Sequence, residues 1–162
     1  MVGFSGLGAF CISWLVLVLQ VLHQAYMAIL LAFLLPNLEM AEIVGVIWNM
    51  VGYLLSGFSP PASSLPSRIV WVYRITPMTY SVAAFSGVVF GACSSDGDLG
   101  CAQMTNVPPS LAADITVKAY VETNFWMENS EVWQNCGVLA LFVLLYGLFT
   151  LLAIRFCDHQ KK

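Results

Sequence analysis

The chain has 162 residues, of which 59% are hydrophobic and 9% charged, where a soluble domain ordinarily carries about 25% charged residues. Too few charges remain to cover a surface in water, and a mean hydropathy of +0.81 points to a bilayer as the solvent. The net charge of −3 leaves no basic patch for nucleic acid.

Spanning about 30 Å of hydrocarbon takes roughly 20 helical residues. The first 38 residues contain no Asp, Glu, Lys or Arg, and they lack the basic start and small-residue cleavage site of a removable leader. The chain is therefore expected to begin at or inside a membrane helix, as a portion of a longer protein would. Residues 8–35 predict a transmembrane helix long enough to cross even when tilted, ended by Pro36-Asn37. Within it Gln20, His23 and Gln24, with Ser13 a heptad earlier, make a polar stripe on an apolar helix. Such a stripe faces a bundle interior or a watery cavity, because polar groups turned to lipid are unfavourable. Helix–helix hydrogen bonding is its plain reading, and a place on a substrate path is the alternative.

Residues 41–58 are just long enough for a second span. Gly45, Asn49, Gly52 and Ser56 recur on one face, where small residues let a neighbouring backbone approach. Val46, Met50 and Tyr53 lie on the adjacent face, with Gly57 and Phe58 beyond. A Met and aromatic stripe of this kind serves packing more often than binding.

The chain then interrupts itself with Pro60, Pro61, Pro66 and Pro77 among Arg68, Arg74 and several aromatics. Only about eleven cleanly apolar residues follow the polar Thr76, Thr79, Tyr80 and Ser81, and a stretch of about 10–14 suits a re-entrant segment better than a span. If the segment did span, Arg68 and Arg74 would be cytoplasmic, which the positive-inside rule also accepts. Charge leaves both arrangements open, and length favours a re-entrant segment over 59–92.

A third span is expected over 136–156, with Asn129 or Ser130 capping its start and Glu131 favouring its dipole. Only Tyr146 and Thr150 interrupt it, so it reads as a lipid-exposed anchor. The basic Arg155, Lys161 and Lys162 place the tail, 157–162, in the cytoplasm and the loop over 93–131 outside. In that loop Cys93 and Cys101 bracket a Gly- and Asp-rich turn able to bring its ends together, and an external position favours their disulfide. Cys11, Cys136 and Cys157 lie in or beside apolar stretches, where free cysteine behaves as a small hydrophobe. A short amphipathic helix with Asp114 as its cap and Val117, Tyr120, Val121 and Phe125 on one side is expected further along. The fold class is thus an all-α membrane protein: three transmembrane helices, a re-entrant helical segment and a disulfide-stapled external loop. No phosphate-binding loop, zincin helix, nucleophile elbow or C-x-x-C pair occurs, so catalysis by this chain is not expected, and no residues are proposed as catalytic or metal-binding.

Six stretches, GFSPPASSLP, WVYRITPMTYS, VFGAC, ITVKAYVETNF, VWQNCGVL and LLAIRFCDHQKK, carry a resemblance over nearly the whole chain. Together they resemble the end of the second transmembrane domain of G-type ABC transporters, in particular the pleiotropic-drug-resistance branch. The resemblance implies a partial type-2 exporter domain in the plasma membrane. Its penultimate helix would line a central cavity and end in a hydrophobic plug, roofed by re-entrant helices and the stapled loop. Carried over by position, Gly57 and Phe58 fall at the plug, and Val46, Asn49, Met50 and Tyr53 on the substrate path below it. Pro60, Pro61 and Pro66 would stop the helix, because proline lacks the donor that the next turn needs.

The implied function is ATP-driven efflux of amphipathic, lipophilic compounds. The implied partners are the bilayer, hydrophobic small molecules, the first transmembrane domain and the nucleotide-binding domains. ATP and Mg would bind at those domains, which this sequence does not contain, so the chain is expected to bind no cofactor and to be inactive alone. The alternatives are a non-transporting four-helix membrane scaffold and a regulatory half-domain.

Overall fold

Twenty-eight residues without a proline or a charge form α1 (Leu7–Leu34). In the computed structural model, which describes residues 6–57, 60–93, 98–104 and 115–156, five further α-helices follow. These are α2 (Leu38–Leu54), α3 (Val70–Ile75), α4 (Pro77–Phe90), α5 (Val117–Phe125) and α6 (Val132–Phe156). Single 3-10 turns lie at Ala62–Ser64, Leu99–Cys101 and Asn129–Glu131. Among the described residues the only extended pairing is an isolated bridge between Gln103 and Thr116. Phe58, Asp114, Cys157 and the tail 157–162 lie outside the described residues.

α1 and α6 run side by side in the same direction. Near their starts Val16 packs with Val132, Cys136 and Leu139. Midway the His23 ring stands edge-on to Tyr146 at 4.8 Å. Further along, Thr150 Oγ1 lies 2.8 Å from Tyr146 O and 3.1 Å from Tyr26 O, sharing one proton between the two carbonyls. With the preceding 3-10 turn, α6 reaches 28 residues, and α1 and α6 are the two described helices long and apolar enough to cross a bilayer.

α2 returns antiparallel along α1 and stops partway. Its 17 residues rise about 26 Å at about 1.5 Å per residue. It begins three residues before and ends four residues before the span expected over 41–58, because the chain leaves helical geometry at Leu55 (φ −96°, ψ 10°). At that level α4 takes over. A Cβ on Gly52 would lie 3.6 Å from Thr76 Cγ2 and 3.7 Å from Met78 Cβ, so the end of α2 abuts the start of α4. Gln20 of α1 marks the same level, its Nε2 lying 3.1 Å from Met78 Sδ.

From there α4 climbs antiparallel to α6. Tyr80 faces Phe142 with ring centroids 6.1 Å apart, and Gly87 lies against Val132 and the Glu128 carbonyl. Its 14 residues cover only about 21 Å, which falls short of a bilayer core. α2 and α4 are therefore two short helices stacked end over end beside two long ones.

Three expectations are corrected here. α6 is no plain lipid anchor: Val132, Asn135, Cys136, Leu139, Val143, Thr150 and Ala153 form a buried face against α1 and α4, while Leu144, Leu148 and Leu151 stay exposed. Asn129 does not cap the helix that follows it; its Nδ2 donates to the Gly87 carbonyl at 2.8 Å, closing the end of α4, while Ser130 Oγ donates to Glu128. The cap of α5 is Thr116, whose hydroxyl oxygen accepts from the Ala119 amide at 3.3 Å, because Thr116 stands directly before the first helical residue. The amphipathic face of α5 is as read: Val121 packs with Ala83 and Met127, flanked by Val117 and Phe125.

Candidate site at the junction of α2, α3 and α4

The junction is built around Gly57. Its φ of 82° lies in the left-handed region that side chains avoid, and a Cβ there would meet Tyr73 Cε2 at 2.5 Å and Ala62 Cβ at 3.3 Å. The Gly57 carbonyl accepts from Ala62 N at 3.0 Å, so the chain turns back at once into the proline-rich segment. Tyr73 fills the space above Gly57, 8% exposed, with its ring edge-on to Trp126 at 6.4 Å.

Breaking α3 from α4 frees backbone carbonyls, and polar side chains answer them. Pro77 is fully buried at the first position of α4, where its missing donor is harmless. Thr76 Oγ1 donates to Val72 O at 2.7 Å, and Thr79 Oγ1 to Tyr73 O at 2.9 Å with Leu55 O at 3.3 Å. Ser56 Oγ donates to Tyr53 O at 2.8 Å, and the Tyr80 hydroxyl to the Arg74 carbonyl. Irregular backbone at membrane depth persists only when its polar groups are satisfied in this way.

Two of the four small residues expected on one face of α2, Gly52 and Ser56, are buried, and a Cβ added at Gly45 would lie 3.7 Å from Leu31 Cδ1. Asn49 is not with them: it is exposed, and its Nδ2 returns to Gly45 O at 3.0 Å. It joins Val46, Met50 and Tyr53, which are 66%, 66% and 55% exposed on a face that no other described part of the chain covers. Gln24, Glu42, Val46 and Asn49 help line a cleft of about 500 Å³ between α1 and α2, so part of the α1 stripe and part of this row meet there. The rest of the stripe turns inward. Ser13 and His23 are each 2% exposed, and Ser13 Oγ, Gln20 Oε1 and both His23 nitrogens have no hydrogen-bond partner among the described residues.

Beyond the junction, Cys93 and Cys101 are bonded, with Cα atoms 5.1 Å apart. The bond ties the end of α4 to the 3-10 turn where Gly100 presses on the carbonyls of Phe90 and Ala92. α5 packs on both that turn and the proline-rich Ala62–Ser64 turn. The bonded loop, α5 and the proline segment thus form one layer over the α2–α4 joint. Tyr73, Thr79 and Trp126 hold this layer; of these the sequence marked only Thr79, as a polar interruption of a short segment, and gave none of them this role. The break at Pro77 was the available signal for the first two, but only the tertiary fold brings Trp126 to Tyr73.

Two crossing helices, a stacked pair of half-length helices and a layer over their joint define a polytopic helical membrane domain. The ABC-2 type transporter family matches residues 1–90, and the CDR ABC transporter family matches residues 95–162. The chain belongs to the ABC-2 type transporter family, in its pleiotropic-drug-resistance branch. Among curated relatives, ABC transporter G family member 49 of Oryza sativa subsp. japonica is 31% identical over 162 residues, covering 99% of this chain and 10% of the relative. ABC transporter G family member 36 of Arabidopsis thaliana is 25% identical over 87% of the chain and 9% of its own length. ABC transporter G family member 2 of Dictyostelium discoideum is 22% identical over 84% and 11%. The chain thus spans about a tenth of the length of the curated relatives it matches. No solved structure matches it.

Proposed function

We propose that this chain forms part of the substrate path and the outer closure of an ATP-driven exporter of amphipathic, lipophilic compounds in the plasma membrane, with its C-terminus in the cytoplasm. The observation that carries the reading is the joint where α2 stops against Gly57, Tyr73 and the start of α4, part of the way along α1. Below it the open row Val46, Asn49, Met50 and Tyr53 offers apolar and weakly polar surface to a compound arriving from the bilayer. Above it the bonded loop and the proline segment form the roof. Phe58, which follows Gly57 in the sequence, is assigned to the plug by the family resemblance alone. Nucleotide-binding domains carrying ATP and Mg power the cycle, and a first transmembrane domain faces the open row.

The test is ATP-dependent efflux of a lipophilic fluorescent dye from membranes in which this chain works beside nucleotide-binding domains. Met50→Trp and Tyr53→Ala are expected to alter dye selectivity while ATP hydrolysis persists. Unchanged efflux for every dye tried would remove these residues from the path. The scaffold alternative requires α4 to cross the membrane, and a helix of 14 residues is short for that. A cysteine placed at Arg68 settles it: labelling by an impermeant reagent from outside rules out four spans.

A further inference from the structure

A pocket of about 380 Å³ opens between α3, the start of α4 and the first turn of α6; it shares Tyr73, Thr79 and Trp126 with the closing layer, and the transport reading makes no use of its charged rim. The clefts between α1 and α2 and between α1 and α4 have no cation in their lining, and Glu42 is their one charged residue. This one is lined by Tyr73, Tyr80, Trp126 and Asn135 together with one cation, Arg74, and one anion, Glu131. Both charged side chains are exposed, and neither makes an ion pair among the described residues. Trp126 stands at the rim as the residue that ends α5, in the left-handed conformation (φ 55°) common at helix C-termini. Its indole meets the Tyr73 ring at 84°, so two aromatic walls stand nearly perpendicular.

The depth of the pocket narrows the ligand. Gln134 and Asn135 belong to the first turn of a helix that crosses the bilayer. Trp71, Trp126 and Trp133 are 63%, 46% and 67% exposed around the same end, and exposed indoles gather where lipid headgroups meet hydrocarbon. A ligand there presents headgroup chemistry. A purely anionic group would meet Glu131 and a purely cationic one Arg74, so a group bearing both charges fits best.

We propose that this pocket binds a phosphocholine group: the phosphate on Arg74, and the quaternary ammonium among Trp126, Tyr73 and Glu131. Guanidinium matches a phosphate oxygen pair, and aromatic faces attract a quaternary ammonium without needing a hydrogen bond from it. The volume suits a small polar ligand. The inference stands whether or not the chain takes part in transport.

The test is native mass spectrometry of the purified protein in detergent, titrated with dioleoyl phosphatidylcholine, with dioleoyl phosphatidylglycerol and with free phosphocholine. Phosphatidylcholine is expected to be retained in preference to phosphatidylglycerol. Arg74→Gln and Glu131→Gln are each expected to weaken that retention about tenfold, while elution volume and the Cys93–Cys101 bond stay as in the unaltered protein. Free phosphocholine bound as tightly as the lipid assigns the group to a soluble ligand; retention of the lipid alone assigns it to the membrane. Equal or greater retention of phosphatidylglycerol, or unchanged phosphatidylcholine retention in both variants, overturns the proposal.

Discussion

At Gly57 two constraints coincide: a positive φ, and a ring packed where a side chain would begin. Gly57→Ala is expected to destabilise the protein by about 1–3 kcal/mol, read as a lower thermal midpoint, and to displace Tyr73 from Trp126. A midpoint equal to the original would mean that the turn relaxes freely and is no closure. His23 poses the opposite case. Its two ring nitrogens are buried without partners among the described residues, and such groups cost about 1–3 kcal/mol each. His23→Leu is expected to raise the thermal midpoint. A fall instead would show that the imidazole is hydrogen-bonded in the working protein, to water or to another domain, and would favour a path role for the stripe.

Among the elements, α4 depends on a neighbour for its ending. Asn129 closes its last turn from the chain that leads into α6. Asn129→Ala should cost about 1 kcal/mol and speed amide exchange at Gly91, whose N–H closes on Gly87 O, while amides near Leu139 stay protected. Equal acceleration at both places would contradict a local role. The sequence made the long helices plain, because uninterrupted apolar runs admit few alternatives. It also made the disulfide pair and the shortness of the helix after Pro77 plain. The end of α2 was not readable: only Ser56 and Gly57 interrupt the apolar residues from Leu54 to Phe58, and the helix stops through a turn at Leu55 and a glycine of positive φ packed against Tyr73, 16 positions away. Nor could the packed face of α6 be read, since a helix apolar on every side carries no periodic mark of its buried stripe.

For the whole molecule, the layer over the joint has one covalent tie. Cys93→Ser is expected to leave α1 and α6 intact by circular dichroism while loosening α5 and the 3-10 turn at Leu99–Cys101, detected as faster proteolysis there. Cleavage unchanged from the bonded protein would show that packing on the proline turn suffices. The members of the proposed substrate path share an exposed row because α2 has its buried face against α1 and α4, and none of the described residues covers the other side.

The stacking of α2 on α4 also sets how this domain meets a bilayer of unusual thickness. A continuous helix answers a thinner membrane by tilting. Two helices that meet at Gly52, Thr76 and Met78, tied across the joint by Thr79 Oγ1 donating to Leu55 O, are expected to shift at the joint instead. Shortening the lipid acyl chains is therefore expected to change the distance between spin labels at Met50 and Val82, while labels at Leu17 and Leu144 keep theirs. On the proposed transport reading, the closure would then respond to membrane thickness as well as to cargo.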